Sequence, residues 1–250
     1  MIGGTCLEYN LKESSDFCLD IEDLKHSLTD DVDLFAFCNP NNPTGELTDR
    51  EMLLKLSQKC REHQVFFAVD ECFLDFVPKG QDYELAGCLK YNRHIFLLKA
   101  FTKSFAMAGL RLGYGFLADG ELRLKMQSQS QPWNVSIPAQ EAGCAAFGAE
   151  REPYLREARK LISREREYLR EGLQRLGFYV FPSEANFLLF KRTDRGDGGE
   201  LYESLLSRGI LIRRCGDYQG LSGDHYRICV KKREENRAFL ENLGEIYKKR

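Results

Sequence analysis

Apolar and polar residues alternate in blocks along the first half of the chain. Continuous apolar runs are separated by stretches in which apolar residues recur three or four positions apart, as on one face of a helix. The apolar runs predict strands at residues 5–9, 33–38, 65–69, 94–98 and 112–118. Continuous apolar strands that alternate with helices are typical of a parallel sheet covered on both faces.

Two helices are predicted between these strands. A short helix is predicted at residues 21–28, and a longer one between Thr48 and His63. Thr48 is followed three residues later by Glu51, which is the spacing of a capping box. The pattern therefore predicts Thr48 as the residue that caps the longer helix.

The second half of the chain has a different pattern of predicted helices and strands. A long, highly charged helical pattern covers residues 152–176, and Gly177 follows it as a typical helix-ending glycine. Short strand-like runs then surround a helix predicted near 199–208, and a last helix is predicted at 234–248. Residues 193–200 form a polar stretch that predicts a surface turn.

This change in the pattern of predicted elements indicates two domains. Residues 1–150 form the first, an α/β domain with a mainly parallel sheet, and residues 151–250 form a smaller α+β domain. Residues 127–140 carry no formal charge and two prolines, so we interpret them as a functional loop and not as a linker.

Composition excludes several classes of protein. The 250 residues carry 36 basic and 38 acidic side chains, a formal net charge of -2, which argues against nucleic-acid binding by bulk positive charge. No apolar run reaches the roughly 18 residues that a membrane helix needs. The nine cysteines form no Cys-x-x-Cys pair and the four histidines do not cluster, so we expect free thiols and no metal site. We therefore expect a cytoplasmic protein that binds neither nucleic acid nor membrane.

Four features lie just past predicted strands, where an open α/β sheet binds its ligands. The first is the segment Asn-Pro-Asn-Asn-Pro-Thr-Gly at residues 39–45, and the second is Asp70. The third is Lys103, and the fourth is Arg111, eight residues later, taken together with Thr102.

Each feature has an ordinary interpretation and a chemical one. The loop is a tight turn or a rigid support for an amide donor, and the carboxylate caps the next segment or holds a proton on a heteroaromatic nitrogen. The lysine extends to solvent or, when desolvated, forms a Schiff base. The arginine makes a surface ion pair or, with the threonine hydroxyl, grips a phosphate.

Taken together and in this order, the motifs NPNNPTG, VDECFLDF, FTK and GLRLGYG resemble those of the fold-type-I pyridoxal-phosphate enzymes, the aspartate aminotransferase superfamily. The resemblance implies that fold, and pyridoxal 5'-phosphate as cofactor. It implies that Asn42 contacts the ring 3-oxygen and the substrate, and that Asp70 pairs with the pyridine nitrogen. It further implies that Lys103 is the Schiff-base lysine and that Thr102 and Arg111 bind the cofactor phosphate.

Within this superfamily, residues 131–136, 210–221 and 225–230 resemble the branch of histidinol-phosphate aminotransferases and threonine-phosphate decarboxylases. The decarboxylases match better, because the aminotransferases carry an aromatic hydroxyl three residues after the aspartate and this chain has Phe73 there. The resemblance implies that Arg213 and Arg227 bind the carboxylate and phosphate of an amino-acid phosphate ester.

The resemblance to the decarboxylases implies decarboxylation of L-threonine O-3-phosphate to aminopropanol phosphate, a step of cobalamin synthesis, in a homodimer. Two alternatives remain. One is an aminotransferase acting on histidinol phosphate, and the other is an inactive paralogue.

The chain departs from the family pattern in two respects. Three residues before the candidate lysine it has Ala100, where the family has a hydroxyl for the phosphate. The family's glycine-rich phosphate turn and ring-stacking aromatic are not found before residue 39. The sequence therefore resembles an N-terminally truncated family member, and we expect apolar strand surface to be exposed.

Overall fold

A computed structural model describes residues 3–193 and 198–248. Two four-stranded sheets form in this part of the chain. The strands are β1 Leu34–Cys38, β2 Phe66–Asp70, β3 Ile95–Ala100, β4 Gly113–Leu117, β5 Tyr179–Val180, β6 Phe187–Lys191, β7 Arg213–Arg214 and β8 His225–Cys229. The α-helices are α1 Ile21–Lys25, α2 Arg50–Glu62, α3 Phe101–Ser104, α4 Gly120–Gln129, α5 Ile137–Ala146, α6 Arg151–Arg175, α7 Gly198–Leu206 and α8 Arg233–Lys248.

The first sheet has the strand order β1-β2-β3-β4. Its first three strands are parallel, and β4 pairs antiparallel to β3. The crossover from β1 to β2 contains α2, and the crossover from β2 to β3 contains the short 3-10 helices Leu74–Phe76, Gly80–Asp82 and Ala86–Lys90. The mainly parallel sheet predicted from the apolar runs is confirmed.

Among the residues that the structure describes, helices cover one face of this sheet and not the other. Phe67 and Val69 of β2 and Ile95 and Leu97 of β3 are fully buried beneath α1, α2 and the segment around Leu85. The expectation of a sheet covered on both faces is wrong for the described residues, and β1, expected to be buried, is half exposed. The expected exposure of apolar strand surface is observed.

The second sheet is antiparallel throughout and has the order β5-β6-β8-β7. Its core packs against the long helix α6 and the helices α7 and α8, through side chains such as Leu173, Phe190 and Tyr226. Helix α6 ends before Gly177, whose φ of +85° is the left-handed conformation expected of a helix-ending glycine. The division at residue 150, between α5 and α6, remains a prediction.

An irregular segment near the N-terminus connects the two halves. The strand predicted at residues 5–9 does not form, because no neighbouring strand pairs with it. Leu11 contacts the cores of both halves, and Phe17 packs on the Phe181 ring at 5.0 Å between ring centres. Glu13 pairs with Lys191 at 2.7 Å, which adds an ionic contact to this apolar packing.

Three local predictions differ from the structure. Helix α2 is capped by Asp49 and not by Thr48, since the Asp49 carboxylate accepts a hydrogen bond from the Met52 amide at 2.8 Å. Thr48 is instead buried against the preceding loop. The loop predicted at 127–140 is shorter, because α4 and α5 extend into it. Of the turn predicted at 193–200, residues 194–197 lie outside the described residues, and residues 198–200 belong to α7 instead of a turn. No helix in the described ranges has the length and apolarity to cross a membrane.

Gly45 packs tightly against the second half of the chain. Its φ is +81°, and its carbonyl accepts a hydrogen bond from the Glu184 amide at 2.8 Å. A Cβ placed on Gly45 would lie 2.0 Å from Ser183 Oγ and 2.6 Å from Ser183 Cβ. No other side chain therefore fits here without moving the backbone near Ser183.

We expect Gly45→Ala to lower the free energy of unfolding more than Gly177→Ala. Both glycines have left-handed backbones, which costs an alanine about 1–2 kcal/mol, but a Cβ at Gly177 meets nothing within 4 Å. The clash with Ser183 should add about 1–3 kcal/mol at Gly45. Urea denaturation of both variants measures the difference, and equal losses would show that the contact is not tight.

Candidate functional site

The carboxyl ends of β1 and β2 bring Asp70 and the loop 39–45 together. Asp70 lies beside Cys38 in the parallel register, and its backbone carbonyl accepts a hydrogen bond from the Asn39 amide at 2.9 Å. The Asp70 carboxylate accepts a hydrogen bond from the Cys72 amide at 2.9 Å. The carboxylate is therefore held at the edge of the sheet where α/β proteins bind ligands.

Asn39 anchors the loop that follows β1. Its side chain is buried, its Oδ1 accepts from the Thr48 amide at 2.9 Å, and its Nδ2 donates to the Thr48 carbonyl at 3.2 Å. Both ends of the loop are thereby tied together. Asn42, at the middle of the loop, is left half-buried with its side chain directed at the second sheet.

Arg227 of β8 makes that contact with the second sheet. Its guanidinium donates a hydrogen bond to Asn42 Oδ1 and lies 5.1 Å from the centre of the Phe187 ring. This bond fixes Asn42 by its acceptor oxygen and so orients the Nδ2 group, which is the donor that this side chain can offer to a ligand. The structure thus joins a predicted substrate residue to a predicted cofactor residue.

Lys103 lies in α3, directly after β3. Its Nζ is 5.9 Å from the centre of the Phe73 ring, and Phe73 meets Phe187 edge-on with ring centres 5.1 Å apart. Among the described residues Lys103 makes no ion pair. A continuous series of cation and ring contacts therefore runs from Lys103 through Phe73 and Phe187 to Arg227.

Asp70 and Lys103 both act on the thiol of Cys72. Burial is the main reason that the pKa of Cys72 is raised, and a hydrogen bond with Asp70 raises it further. The positive charge of Lys103 acts in the opposite direction on the same thiol. Both predicted residues are therefore close enough to influence Cys72, which places them around one spot.

Lys99, four residues earlier, has a different environment. It is 8% exposed, and its Nζ pairs with Glu71 at 3.0 Å and with Glu84 at 2.6 Å. Burial by itself would lower the pKa of Lys99, but the two carboxylates raise it above its ordinary value. A lysine held charged in this way is a poor nucleophile, so Lys103 is the better candidate.

The two residues predicted to bind the cofactor phosphate lie in different environments. Thr102 is half-buried in α3, whereas Arg111 is exposed, has a φ of +55°, and donates through Nη1 to the Ala108 carbonyl at 3.1 Å. In the described part of the chain no hydrogen bond joins these two side chains. Ala100 precedes α3 and offers no side-chain cap, as expected from its methyl group.

Arg213 lies directly opposite Arg227 in the pairing of β7 with β8. It is exposed, donates to the Asp217 carboxylate at 2.5 Å, and lies 5.5 Å from the centre of the Tyr218 ring. Burial raises the pKa of the Cys215 thiol to about 11, against the opposing charges of Arg227 and Arg213. Both guanidinium groups therefore influence one buried thiol.

Sequence reasoning did not identify Asn39, Phe187 or the Glu71–Lys99 pair as part of this arrangement. Asn39 belongs to the predicted loop motif, so its position could have been found from the residues that follow β1. Phe187 lies about 115 positions from Phe73 and has no local signal that relates the two. The pairing of Glu71 with Lys99 could not be predicted either, because a lysine within an apolar run gives no indication of which carboxylate it pairs with.

His225 begins β8, two residues before Arg227, and is fully buried. Its Nδ1 accepts from the Ser222 amide at 3.0 Å, and its Nε2 lies 3.4 Å from the Glu13 carboxylate. Burial lowers the pKa of His225, and Lys191 adds to this, while Glu13 and the Ser222 hydrogen bond oppose it. The imidazole is therefore kept neutral in the folded protein at pH values where an exposed histidine takes up a proton.

We expect His225 to weaken the folded state in acid. Because its folded pKa is depressed, its contribution is fully present above the ordinary histidine pKa of about 6.5 and is lost as the pH falls below it. The slope is at most about 1.4 kcal/mol per pH unit. Urea denaturation between pH 7.5 and 5.5 should show a smaller loss in His225→Gln than in the parent.

The exposed His26 provides the control. His26→Gln should keep the pH dependence of the parent protein. If His225→Gln loses stability between pH 7.5 and 5.5 as the parent does, the pKa of His225 is not lowered by folding.

The chain belongs to the aminotransferase class I and II family, whose family model matches residues 1–243. It has the aspartate aminotransferase fold, and the cofactor of the fold-type-I enzymes of this family is pyridoxal 5'-phosphate. Both expectations drawn from the sequence motifs are confirmed at the level of the family.

Two relatives define the similarity more closely. The chain is 33% identical over 239 residues to the threonine-phosphate decarboxylase of Salmonella typhimurium, a match that covers 95% of this chain and 64% of the relative. It is 30% identical to the histidinol-phosphate aminotransferase of Methanosphaera stadtmanae, covering 95% of this chain and 62% of the relative. The chain thus spans less than two thirds of the length of these curated relatives.

Solved structures show the same pair of similarities. The histidinol-phosphate aminotransferase of Clostridium acetobutylicum is 32% identical, with a TM-score of 0.88 over 96% of this chain and 70% of that one. The L-threonine-O-3-phosphate decarboxylase of Porphyromonas gingivalis is 26% identical, with a TM-score of 0.77 over 86% of this chain and 65% of that one.

Proposed function

We propose that this chain serves the pyridoxal-phosphate-dependent decarboxylation of L-threonine O-3-phosphate to aminopropanol phosphate. The observation that carries the proposal is the environment of Phe73. Its ring is buried against Phe187 and faces Lys103, so an apolar ring stands where the aminotransferases of this branch have an aromatic hydroxyl. The similarity to the decarboxylase of Salmonella typhimurium supports this proposal.

The residues present fit the cofactor. The site offers an amine without an ion pair among the described residues, Lys103, and a carboxylate at the sheet edge, Asp70. It also offers the Nδ2 donor of Asn42, a side chain that Arg227 holds by its oxygen. We propose that these groups hold the cofactor ring and that Thr102 and Arg111 hold its phosphate.

When bound, pyridoxal phosphate withdraws electrons from the substrate carbon to which the amine is attached. Asp70 would hold a proton at the ring nitrogen, which strengthens that withdrawal. Arg227 and Arg213 would bind the two anionic groups of the substrate and orient the bond that breaks. Lys103 would deliver to that carbon the proton that takes the place of the carboxylate lost as CO2.

The second candidate is an aminotransferase that acts on histidinol phosphate. Its support is the similarity to the aminotransferases of Methanosphaera stadtmanae and Clostridium acetobutylicum. The two reactions need the same lysine and aspartate, and they differ in whether CO2 or a proton leaves the substrate carbon. An inactive paralogue is the third alternative, and the missing hydroxyl at Ala100 is the structural observation in its favour. Homodimerisation, cytoplasmic location and a part in cobalamin synthesis remain predictions.

We expect Lys103 to be the residue that pyridoxal phosphate modifies. Incubation with the cofactor, reduction with borohydride and peptide mapping should yield a pyridoxyl group on Lys103, and Lys103→Ala should abolish it. Lys99→Ala is unsuitable as a control because it leaves Glu71 unpaired in a buried site. The exposed Lys125 provides the control, since Lys125→Ala should retain the adduct. An adduct on Lys99 in the parent protein would contradict the assignment.

We expect Arg227→Ala to lower kcat/KM for threonine phosphate by about two orders of magnitude or more, because a bound anion loses a paired guanidinium. Free threonine should be a poor substrate and should be less affected. Release of CO2 from carboxyl-labelled substrate, in protein supplied with pyridoxal phosphate, measures the rate.

Arg214→Ala is the matched control, since Arg214 lies on the same strand as Arg213 and packs on the Tyr202 ring. It should leave kcat/KM within a few-fold of the parent value. Equal turnover of threonine and threonine phosphate would contradict the assignment of the arginines. Amino-group transfer to an oxo acid without release of CO2 would favour the aminotransferase.

A further inference from the structure

The two arginines predicted to bind the substrate have different electrostatic surroundings. Arg227 is half-buried, and its guanidinium contacts two neutral groups, the Asn42 amide oxygen and the Phe187 ring. No carboxylate of the described residues forms an ion pair with Arg227. Arg213, in contrast, is exposed, and its Nη2 lies 2.5 Å from the Asp217 Oδ2. One of the two arginines therefore has a carboxylate partner of its own, and the other has none among the described residues.

The pairing of β7 with β8 places both arginines on the same face of the second sheet. Arg213 lies directly opposite Arg227 in the register, and such residues have Cβ atoms about 4.5–5.5 Å apart. Like charges in this arrangement destabilise the pairing of the strands. The Asp217 carboxylate offsets the repulsion by neutralising one of the two guanidinium groups. An anionic group of a ligand bound at Arg213 would do the same, so it and Asp217 have the same electrostatic role.

The loop that carries Asp217 is anchored to the fold. It spans residues 215–224, between β7 and β8. The Cys215 amide donates to the His225 carbonyl at 2.9 Å, and the Tyr218 amide donates to the Cys215 carbonyl at 3.0 Å. Cys215 is fully buried. Because the backbone on both sides of Asp217 is held in this way, its carboxylate stays close to Arg213.

The ion pair is of a kind that a stronger anion can replace. The Arg213 side chain is 46% exposed and the Asp217 side chain is 62% exposed. Water screens such a pair, so it contributes little to stability. A phosphate ester carries close to two negative charges at neutral pH, and a guanidinium binds it through two parallel hydrogen bonds. A phosphate can therefore take the place of Asp217 at Arg213, although it must first displace the carboxylate.

We propose that Asp217 competes with the substrate phosphate for Arg213 and so weakens the binding of phosphorylated substrates. The proposal rests on the proposed function, in which Arg213 and Arg227 bind the two anionic groups of the substrate. Arg227 is connected to Lys103 through two phenylalanine rings, so it lies on the side where the carboxylate leaves. The phosphate is the more distant group and falls to the exposed Arg213. Asp217 is thus a specificity-determining residue that does not touch the reacting atoms.

The test uses inorganic phosphate as the probe and contains neither cofactor nor substrate. Nuclear magnetic resonance follows the Nε–Hε signal of Arg213, which is identified by its absence in Arg213→Lys. This local signal separates binding at Arg213 from binding at Thr102 and Arg111. Asp217→Asn should bind phosphate at Arg213 at least about threefold more tightly than the parent, because the competing charge is gone. A carboxylate that merely supported the position of Arg213 would give the opposite change.

Glu167→Gln is the matched control. Glu167 pairs with the exposed Arg170 at the same distance of 2.5 Å, and its substitution removes the same charge from the chain. It should leave the phosphate affinity at Arg213 unchanged, and circular dichroism should show that both variants are folded. Equal tightening in both variants would overturn the proposal, because the effect would then follow the net charge and not Asp217.

Unchanged or weaker phosphate binding in Asp217→Asn would also overturn the proposal. If phosphate does not shift the Arg213 signal in any variant, both this proposal and the assignment of Arg213 to the substrate are wrong. The proposed reaction is judged separately, by the adduct on Lys103 and the release of CO2. Failure of the competition at Arg213 is therefore distinguishable from failure of the proposed function.

Discussion

The candidate site depends on how the loop after β1 is held between the two sheets. Asn39 buries its side chain against Thr48 and ties its backbone to Asp70, so the loop and the aspartate move as one unit. Asn42 and Gly45 of the same loop then contact the second half of the chain, at Arg227 and Glu184. A buried amide whose oxygen and nitrogen are both hydrogen-bonded is well suited to this role, because leaving either unpaired would cost about 1–3 kcal/mol.

Lys99 and Lys103 are four residues apart, but their environments suit them to different roles, one structural and one chemical. Lys99 is enclosed with Glu71 and Glu84, and this arrangement holds the segment that follows Asp70 against β3. Lys103 is exposed beside the Phe73 ring and has no carboxylate partner in the described ranges. An aromatic face attracts a cation weakly and forms no salt bridge, so the amine stays free to react. The ion pairs of Lys99 fix β3, and Lys103 lies directly after β3, so these ion pairs also help to hold Lys103 in position.

The one-sided cover of the first sheet has consequences for the site. Asp70 lies in register with the exposed Leu98, on the face of the first sheet that no helix of the described residues covers, and it is only half-buried there.

The sequence by itself determined most elements and the identity of the candidate residues. Apolar runs and helical spacing are local properties, and α6 and the strands β1 to β4 could be predicted because short-range pattern and backbone preference agree there. The motif residues Asn42, Asp70 and Lys103 could be identified as candidates because each lies at or just past the carboxyl end of a strand. Residues 5–9 have the pattern of a strand but form none, since a strand needs a neighbour to pair with.

Only the tertiary structure decided what these residues touch. The contacts of Phe73 with Phe187 and of Asn42 with Arg227 join positions more than 100 residues apart, and no local pattern encodes such pairs. The uncovered face was likewise decided by topology, because an apolar run predicts a strand without telling which of its sides another element will cover. Burial and pairing depend on the whole fold, and for that reason they could be found only in the folded chain.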